Sequence, residues 1–274
     1  APSIAPTGDS NTGHWFPAAD ALGGSTGGKL AYKLDDALTN VSFGINALDS
    51  ITSGENNSAF GDQAGTAITS GGRNTAVGSL ALAAITTADD CTAIGYAASD
   101  AATGAQNTFL GSSTCIGVAL SGSNNTLIGY AATPSGAGVS NTFTLGNSSI
   151  ATLRCQVTTI TALSDARDKK DIKPLPAGMD LELINTLVPR LWTWDMRDGG
   201  KVGDPDIGFV AQELLSAMEQ CGVSVPHLVD QSHPEKLEAG YGVLLPIAIR
   251  AIQQLSDALD RTNRRLRAVE EAHG

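Results

Sequence analysis

The sequence predicts a mixed fold: an N-terminal β-solenoid or β-roll, followed by an α+β domain that ends in a long coiled-coil helix. Three observations predict it. A glycine-centred phrase recurs about every 17 residues through the first half. Composition changes abruptly near residue 164. Apolar residues then recur at heptad spacing along the last thirty residues.

The repeat consists of NVSFGINAL, NSAFGDQAG, NTAVGSLAL, CTAIGYAAS, NTFLGSSTC, NTLIGYAAT and NTFTLGNSS. These segments align on Gly44, Gly61, Gly78, Gly95, Gly111, Gly129 and Gly146, with steps of 17, 17, 17, 16, 18 and 17. Four residues before the first six glycines stand Asn40, Asn57, Asn74, Cys91, Asn107 and Asn125. Such a period is the signature of a stacked repeat. In each unit N-T-x-[FVI]-G reads as a short strand, with the residue before the glycine expected to point inward. The glycine turns the chain or admits a close backbone neighbour. The polar stretches between are turns. A single unit holds too little apolar surface to fold alone, so coils must share a core. The asparagines, recurring at one corner, are expected to form an inward amide ladder.

Residues 150–163 alternate Ile150, Leu153, Val157, Ile160 and Leu163 with polar positions, which predicts a short β-stem. The organisation expected is thus 1–39 as a leading segment without an assigned role, 40–149 as the repeat, 150–163 as the stem and 164–274 as the final domain. Before residue 164 the chain is rich in Gly, Ala, Ser, Thr and Asn and almost uncharged after Asp100; beyond it, charge concentrates.

Within 164–274 a helix is expected over 177–187, with Asp180 and Glu182 in its first turns. LWTWDM reads as a strand, GGKVGDPD as a loop, and IGFVAQELLSAMEQCG as a strand passing into a helix closed by Gly222. In the terminal helix Leu245, Ile252, Leu259 and Leu266 are seven apart. Ala248, Leu255, Thr262 and Val269 follow each by three. That is an a/d seam, and a self-associating coil is expected along Leu245, Ile252, Leu255, Leu259, Leu266 and Val269.

A net charge of −11 argues against nucleic acid as a partner. No 18-residue apolar run predicts membrane insertion. The opening APSIAPTGDSNTG lacks the basic and apolar regions of a signal peptide. Cys91, Cys115, Cys155 and Cys221 show neither metal-like nor paired spacing, so free thiols, no metal and no cofactor are expected. Glu55, Asp62, Asp89, Asp90 and Asp100 are scattered acids without an evident carboxylate pair for glycan hydrolysis.

The repeat resembles the β-roll heads of trimeric autotransporter adhesins, which carry the phrase N-[TS]-A-[VIL]-G-x-x-A. That resemblance implies an intertwined trimer. LSDARDKKDI, IGFVAQEL (207–214) and YGVLLPIAIRAIQQL (241–255) together resemble the intramolecular chaperone domain of endosialidase-type phage tailspikes and neck appendages, the auto-processing peptidase S74 family.

The second resemblance implies self-cleavage at the Leu163–Ser164 bond, with Ser164 as nucleophile and Lys169 as general base. A serine hydroxyl needs a base within hydrogen-bond reach. A lysine serves only when neutral, which burial or a nearby cation favours. Asp165, Arg167 and Lys170 are candidate supporting residues, with Arg167 and Lys170 supplying the cationic neighbourhood. Five residues separate Ser164 from Lys169, so the segment must turn back on itself. Where the family has an apolar residue before the lysine, this chain has Asp168, an acid expected to pair with a lysine and oppose its neutral form.

The expected protein is a phage tail fibre, tailspike or appendage, placed in the virion and assembled in the host bacterial cytoplasm. Its expected partners are two further copies of itself, other virion proteins at the N-terminus, and a glycan or protein receptor on a bacterial surface. The alternative is a bacterial trimeric surface adhesin with a non-cleaving chaperone domain.

Overall fold

The computed structural model describes residues 13–15, 21–26, 29–35, 38–150, 152–154, 156, 164–197, 201–232 and 235–273. The chain divides into two compact units, 1–150 and 151–274. Most of the stem expected at 150–163, including Leu163, lies outside the described residues.

The first unit is a β-solenoid. Strands β1 (Gly13–Trp15), β2 (Ala21–Thr26) and β3 (Lys29–Asp35) form an antiparallel meander, and β3 pairs antiparallel with β4 (Asn40–Phe43). From β4 the sheet continues parallel through β5 (Ser58–Phe60), β6 (Thr75–Val77), β7 (Thr92–Ile94), β8 (Thr108–Leu110), β9 (Thr126–Ile128) and β10 (Phe143–Leu145). Strand β3 therefore covers the first parallel edge, which would otherwise present unpaired backbone.

The residues before the glycines do not point inward as expected. Phe43 and Phe60 are each 42% exposed, Ile94 41%, Leu110 43% and Leu145 48%. The inward position is the middle one: Ser42, Ala59, Ala76, Ala93, Phe109 and Leu127 are buried. The cause is the period of two along a strand. The preceding asparagine faces in, so the next inward position is two residues on, and the aromatic or branched residue must face out. Tyr32, Phe43 and Phe60 stack on that outer face, with ring centroids 5.6 and 5.4 Å apart.

The amide ladder forms as expected. Asn57 N donates to Asn40 Oδ1 (2.7 Å), Asn74 N to Asn57 Oδ1 (3.0 Å) and Cys91 N to Asn74 Oδ1 (2.9 Å). Asn57 Nδ2 closes back on Gly71 O (3.0 Å), and Asn74 Nδ2 on Ala88 O (2.9 Å). Cys91 interrupts the ladder. Its sulfur stands where an amide oxygen would receive Asn107 N–H, and sulfur is a weak acceptor. Cys91→Asn is expected to restore the rung and stabilise the solenoid by about 0.5–1.5 kcal/mol. Thermal unfolding of the full chain measures it, and an unchanged or lowered midpoint contradicts it.

The glycine column is imposed by close approach. A Cβ on Gly44, Gly78 or Gly95 would land on the carbonyl of the next glycine in the stack. Corners beside it are tight, and non-glycine residues adopt left-handed backbone there: Leu80 (φ 62°), Leu82 (φ 51°) and Asp90 (φ 60°) in one coil.

The second unit contains α1 (Leu181–Thr186), β11 (Arg190–Asp195), β12 (Val202–Gly208), α2 (Ala211–Gln220), β13 (Val229–Asp230), β14 (Glu238–Ala239) and α3 (Leu244–His273). Its core gathers Met179, Leu183, Leu214, Ala217, Met218, Leu228, Leu244 and Ile247. Helix α1 begins later than expected because Asp180 caps it, accepting from Glu182 N (3.1 Å). Residues 202–206, expected as part of a loop, belong instead to β12, which pairs antiparallel with β11, Trp192 opposite Asp206. Pro205 is tolerated because a two-stranded ribbon is all edge.

Candidate functional site

Ser164 opens a short exposed segment whose chain turns at once. Asp165 caps a 3-10 turn, Ala166–Asp168, by accepting from Arg167 N at 2.8 Å. Asp168 N then donates to Asp165 O, and Lys169 N to Ala166 O, each at 3.2 Å. The turn carries Lys169 back so that Nζ lies 2.6 Å from Ser164 Oγ and 3.4 Å from Ser164 O. Hydroxyl and amine are thus within proton-transfer distance.

The candidate supporting residues are arranged otherwise than a cationic neighbourhood requires. Arg167 is engaged by Asp165: Nη2 reaches Oδ2 at 2.6 Å and Nε reaches Oδ1 at 3.0 Å. That fork holds the Asp165 carboxyl below the usual carboxylate range and raises Arg167 further. Lys170 is exposed and makes no hydrogen bond or ion pair among the described residues. Asp168 is likewise exposed, and among the described residues it forms no ion pair with Lys169 or Lys170. Leu163, the other side of the expected scissile bond, lies outside the described residues.

Further along the chain a polar cluster ties residues 175–181 to α3. Arg250 donates to Leu175 O, and Gln254 bridges Leu181 N (3.0 Å) and Asp180 Oδ2 (3.1 Å). The signal was available: Arg250 and Gln254 are one turn apart on a single helix face. The Glu182 amide, then Gln254 and Arg250, hold the Asp180 carboxyl below its usual range. A depressed carboxylate stabilises the fold above its unfolded-state pKa, near about 4, and the contribution is lost as pH falls through the folded value. The second unit is therefore expected to lose thermal stability as pH falls below about 4. Asp180→Asn keeps the cap acceptor without the charge and should flatten that loss. Calorimetry of both chains across pH measures it, and parallel profiles contradict it.

Helix α3 has two apolar faces. Leu244, Ile247 and Ala251 are buried in the unit, whereas the seam stands free: Leu245 65%, Ile252 65%, Leu255 51%, Leu259 60%, Leu266 56% and Val269 54% exposed.

Two other features are separate from this site. A groove of about 720 Å³ lined by Trp192, Trp194, Phe209 and Tyr241 shares no residue with the Ser164–Lys169 pair. On the solenoid, Asp89 and Asp90 are drawn into ion pairs with Arg73, at 3.4 and 2.6 Å.

Residues 164–223 match the model of the peptidase S74 family, described as chaperone of endosialidase. No curated protein and no solved structure matches the chain. The match begins at Ser164 itself and takes in the turn, Lys169, α1, the β11–β12 hairpin and α2. A β-solenoid in front of such a segment fits a protein of fibre or tailspike type. The chain thus joins a β-solenoid to a following stretch, residues 164–223, that is similar to the chaperone of endosialidase.

Proposed function

We propose that this chain is a fibre, tailspike or appendage protein of a bacteriophage particle, and that its C-terminal domain trimerises the chains and then cuts itself away at Leu163–Ser164. The observation that carries the reading is the 2.6 Å contact between Ser164 Oγ and Lys169 Nζ at the first residue of the family match. In the reaction, neutral Lys169 accepts the hydroxyl proton while Ser164 Oγ attacks the carbonyl carbon of Leu163. The peptide C–N bond breaks as the nitrogen of Ser164 takes up a proton, leaving an ester between Leu163 and Ser164 Oγ. Water hydrolyses the ester, giving a carboxylate on Leu163, a free hydroxyl and a new N-terminus at Ser164. Ser164 and Lys169 are both exposed in one chain. Packing against a second copy would withdraw water and favour the neutral amine, which makes cleavage conditional on assembly.

Association is supported by two uncovered apolar lines. One is the α3 seam. The other is the outer column of the solenoid, Phe43, Phe60, Val77, Ile94, Leu110, Ile128 and Leu145, spanning roughly 29 Å at the usual strand spacing. Uncovered apolar surface of that extent marks protein contact. In this reading the C-terminal coil aligns the chains before near-identical repeats pair one unit out of step. The released solenoid remains in the virion and engages a glycan or protein on the bacterial surface, with residues ahead of it held by other virion proteins.

Mass spectrometry of freshly expressed full chain tests the cleavage. A fragment beginning at Ser164 is expected, with Ser164→Ala and Lys169→Ala leaving the chain whole. A native chain that stays whole after prolonged incubation as a folded trimer overturns the cleavage and leaves the chaperone role standing.

A further inference from the structure

We propose that Asp165 and Arg167 are positioning residues, whose paired side chains clamp the Ala166–Asp168 turn shut and so hold Lys169 Nζ against Ser164 Oγ. The reasoning begins with reach. In an extended chain residues five apart would be separated by roughly 16 Å, so a 2.6 Å contact demands a closed turn. The backbone contributes only two bonds of 3.2 Å to closing it, and no residue of the turn is buried. Neither core packing nor a regular element fixes its shape. What remains is the Asp165 carboxylate. Its Oδ1 receives Arg167 N at 2.8 Å, and both its oxygens receive the guanidinium, at 3.0 and 2.6 Å. Aspartate forms such local bonds at turns because its short side chain reaches the backbone two residues on. The fork to a planar guanidinium adds direction to that bond. The same carboxylate therefore caps the turn and holds the side chain that crosses it.

This assigns Arg167 a different part from that of a bare cation beside Lys169. Its charge is met by Asp165, so its contribution is geometric. The two roles give different pH behaviour. A cation acting on Lys169 would, when removed, move the midpoint of the pH–rate profile upward. A clamp, when removed, lowers the rate at every pH and leaves the midpoint where it was. Asp165→Ala and Arg167→Ala should also fail to add, because either one opens the same turn.

The test uses the full chain and two readouts, of which the second rests on the cleavage reading and the first does not. In uncleaved protein, Lys169 and Lys170 are acetylated with an N-hydroxysuccinimide ester, and their relative rates are read by mass spectrometry. Lys169, bonded to Ser164, is expected to react more slowly than the free neighbouring amine. Asp165→Ala and Arg167→Ala should bring the two rates together, while Asp165→Asn, which keeps an acceptor for the Arg167 amide, falls between. In the second readout, self-cleavage in Asp165→Ala is expected to slow on the order of fivefold, the usual worth of a lost cap, with an unchanged pH midpoint. A labelling ratio that stays native in Asp165→Ala overturns the clamp. So does an upward midpoint shift in Arg167→Ala, or a native cleavage rate in Asp165→Ala. If no chain cleaves, the labelling ratio still decides the clamp, and only the cleavage reading falls.

Discussion

The native chain is expected to sediment as the proposed trimer, and a chain carrying both Ile252→Asp and Leu259→Asp as a monomer. These side chains are 65% and 60% exposed in a single chain, so an aspartate at either site leaves that chain's own packing intact. The face that α3 buries in its unit is a different one, Leu244, Ile247 and Ala251. In a three-stranded coil each substitution instead buries three like charges in one layer. An uncompensated buried charge costs about 3–5 kcal/mol, so two such layers exceed what a coil of this length supplies. The solenoid should suffer as well, with a larger share of the expressed chain recovered as aggregate. Sedimentation velocity reads the first effect and the soluble fraction the second. A double variant that keeps the native sedimentation coefficient would show that the seam does not join the chains.

Phe109→Ala is expected to destabilise the solenoid by about 3–5 kcal/mol, the usual cost of deleting a buried phenylalanine where the site does not collapse. Whether it collapses depends on neighbouring coils. Seven residues past the column glycine stand Ile51, Ile68 and Ile85 in the first three coils, opposite small inward residues, Ser42, Ala59 and Ala76. Further along, the volumes exchange sides: Phe109 accompanies Val118, and Leu127 accompanies Gly136. Between them lies a thin coil with Ala93 and Ala102 in the two places, both fully buried. Removing Phe109 would put two thin coils side by side, and of its two strand neighbours only Leu127 is bulky, Ala93 on the other side being small. Val118→Ile in the Phe109→Ala background should return part of the loss, about 1 kcal/mol for one buried methylene. Denaturant unfolding followed by circular dichroism measures both. A loss below 1 kcal/mol would mean the stack closes over the gap.

Much of this was legible in the sequence, and the failures have physical causes. The glycine period, the inward asparagines and the exposed apolar line of α3 were readable because each is a spacing, and spacing survives in one dimension. Phe60 and Ile94 face outward, against what their apolar character alone suggests. The inward asparagine four places before five of the seven glycines already implied the opposite through strand alternation. Strand β12 was missed because GDPD carries turn chemistry, and only its pairing with β11 overrides that preference. At the candidate site, Ser164 and Lys169 were found through the motif, and the requirement for a turn followed from their separation. The role of Arg167 was not legible. Whether a guanidinium faces a lysine or a carboxylate is decided by which way a three-residue turn closes, and the chain's order of residues leaves both open.

The left-handed corners carry a consequence for how such a stack comes into being. A non-glycine residue in that region costs about 1–2 kcal/mol, and one coil holds three, Leu80, Leu82 and Asp90. What offsets them lies in other coils: Leu80 N donates to Asp62 O, Leu82 N to Ala98 O and Asp90 N to Gly72 O. A coil is thus a poor mould for itself and a good one for the next. Growth should resemble that of a one-dimensional crystal, slow to seed and fast to extend once an end exists. Whatever supplies the seed is needed once. A stack from which the seed has been removed will persist, and once melted it will not regrow.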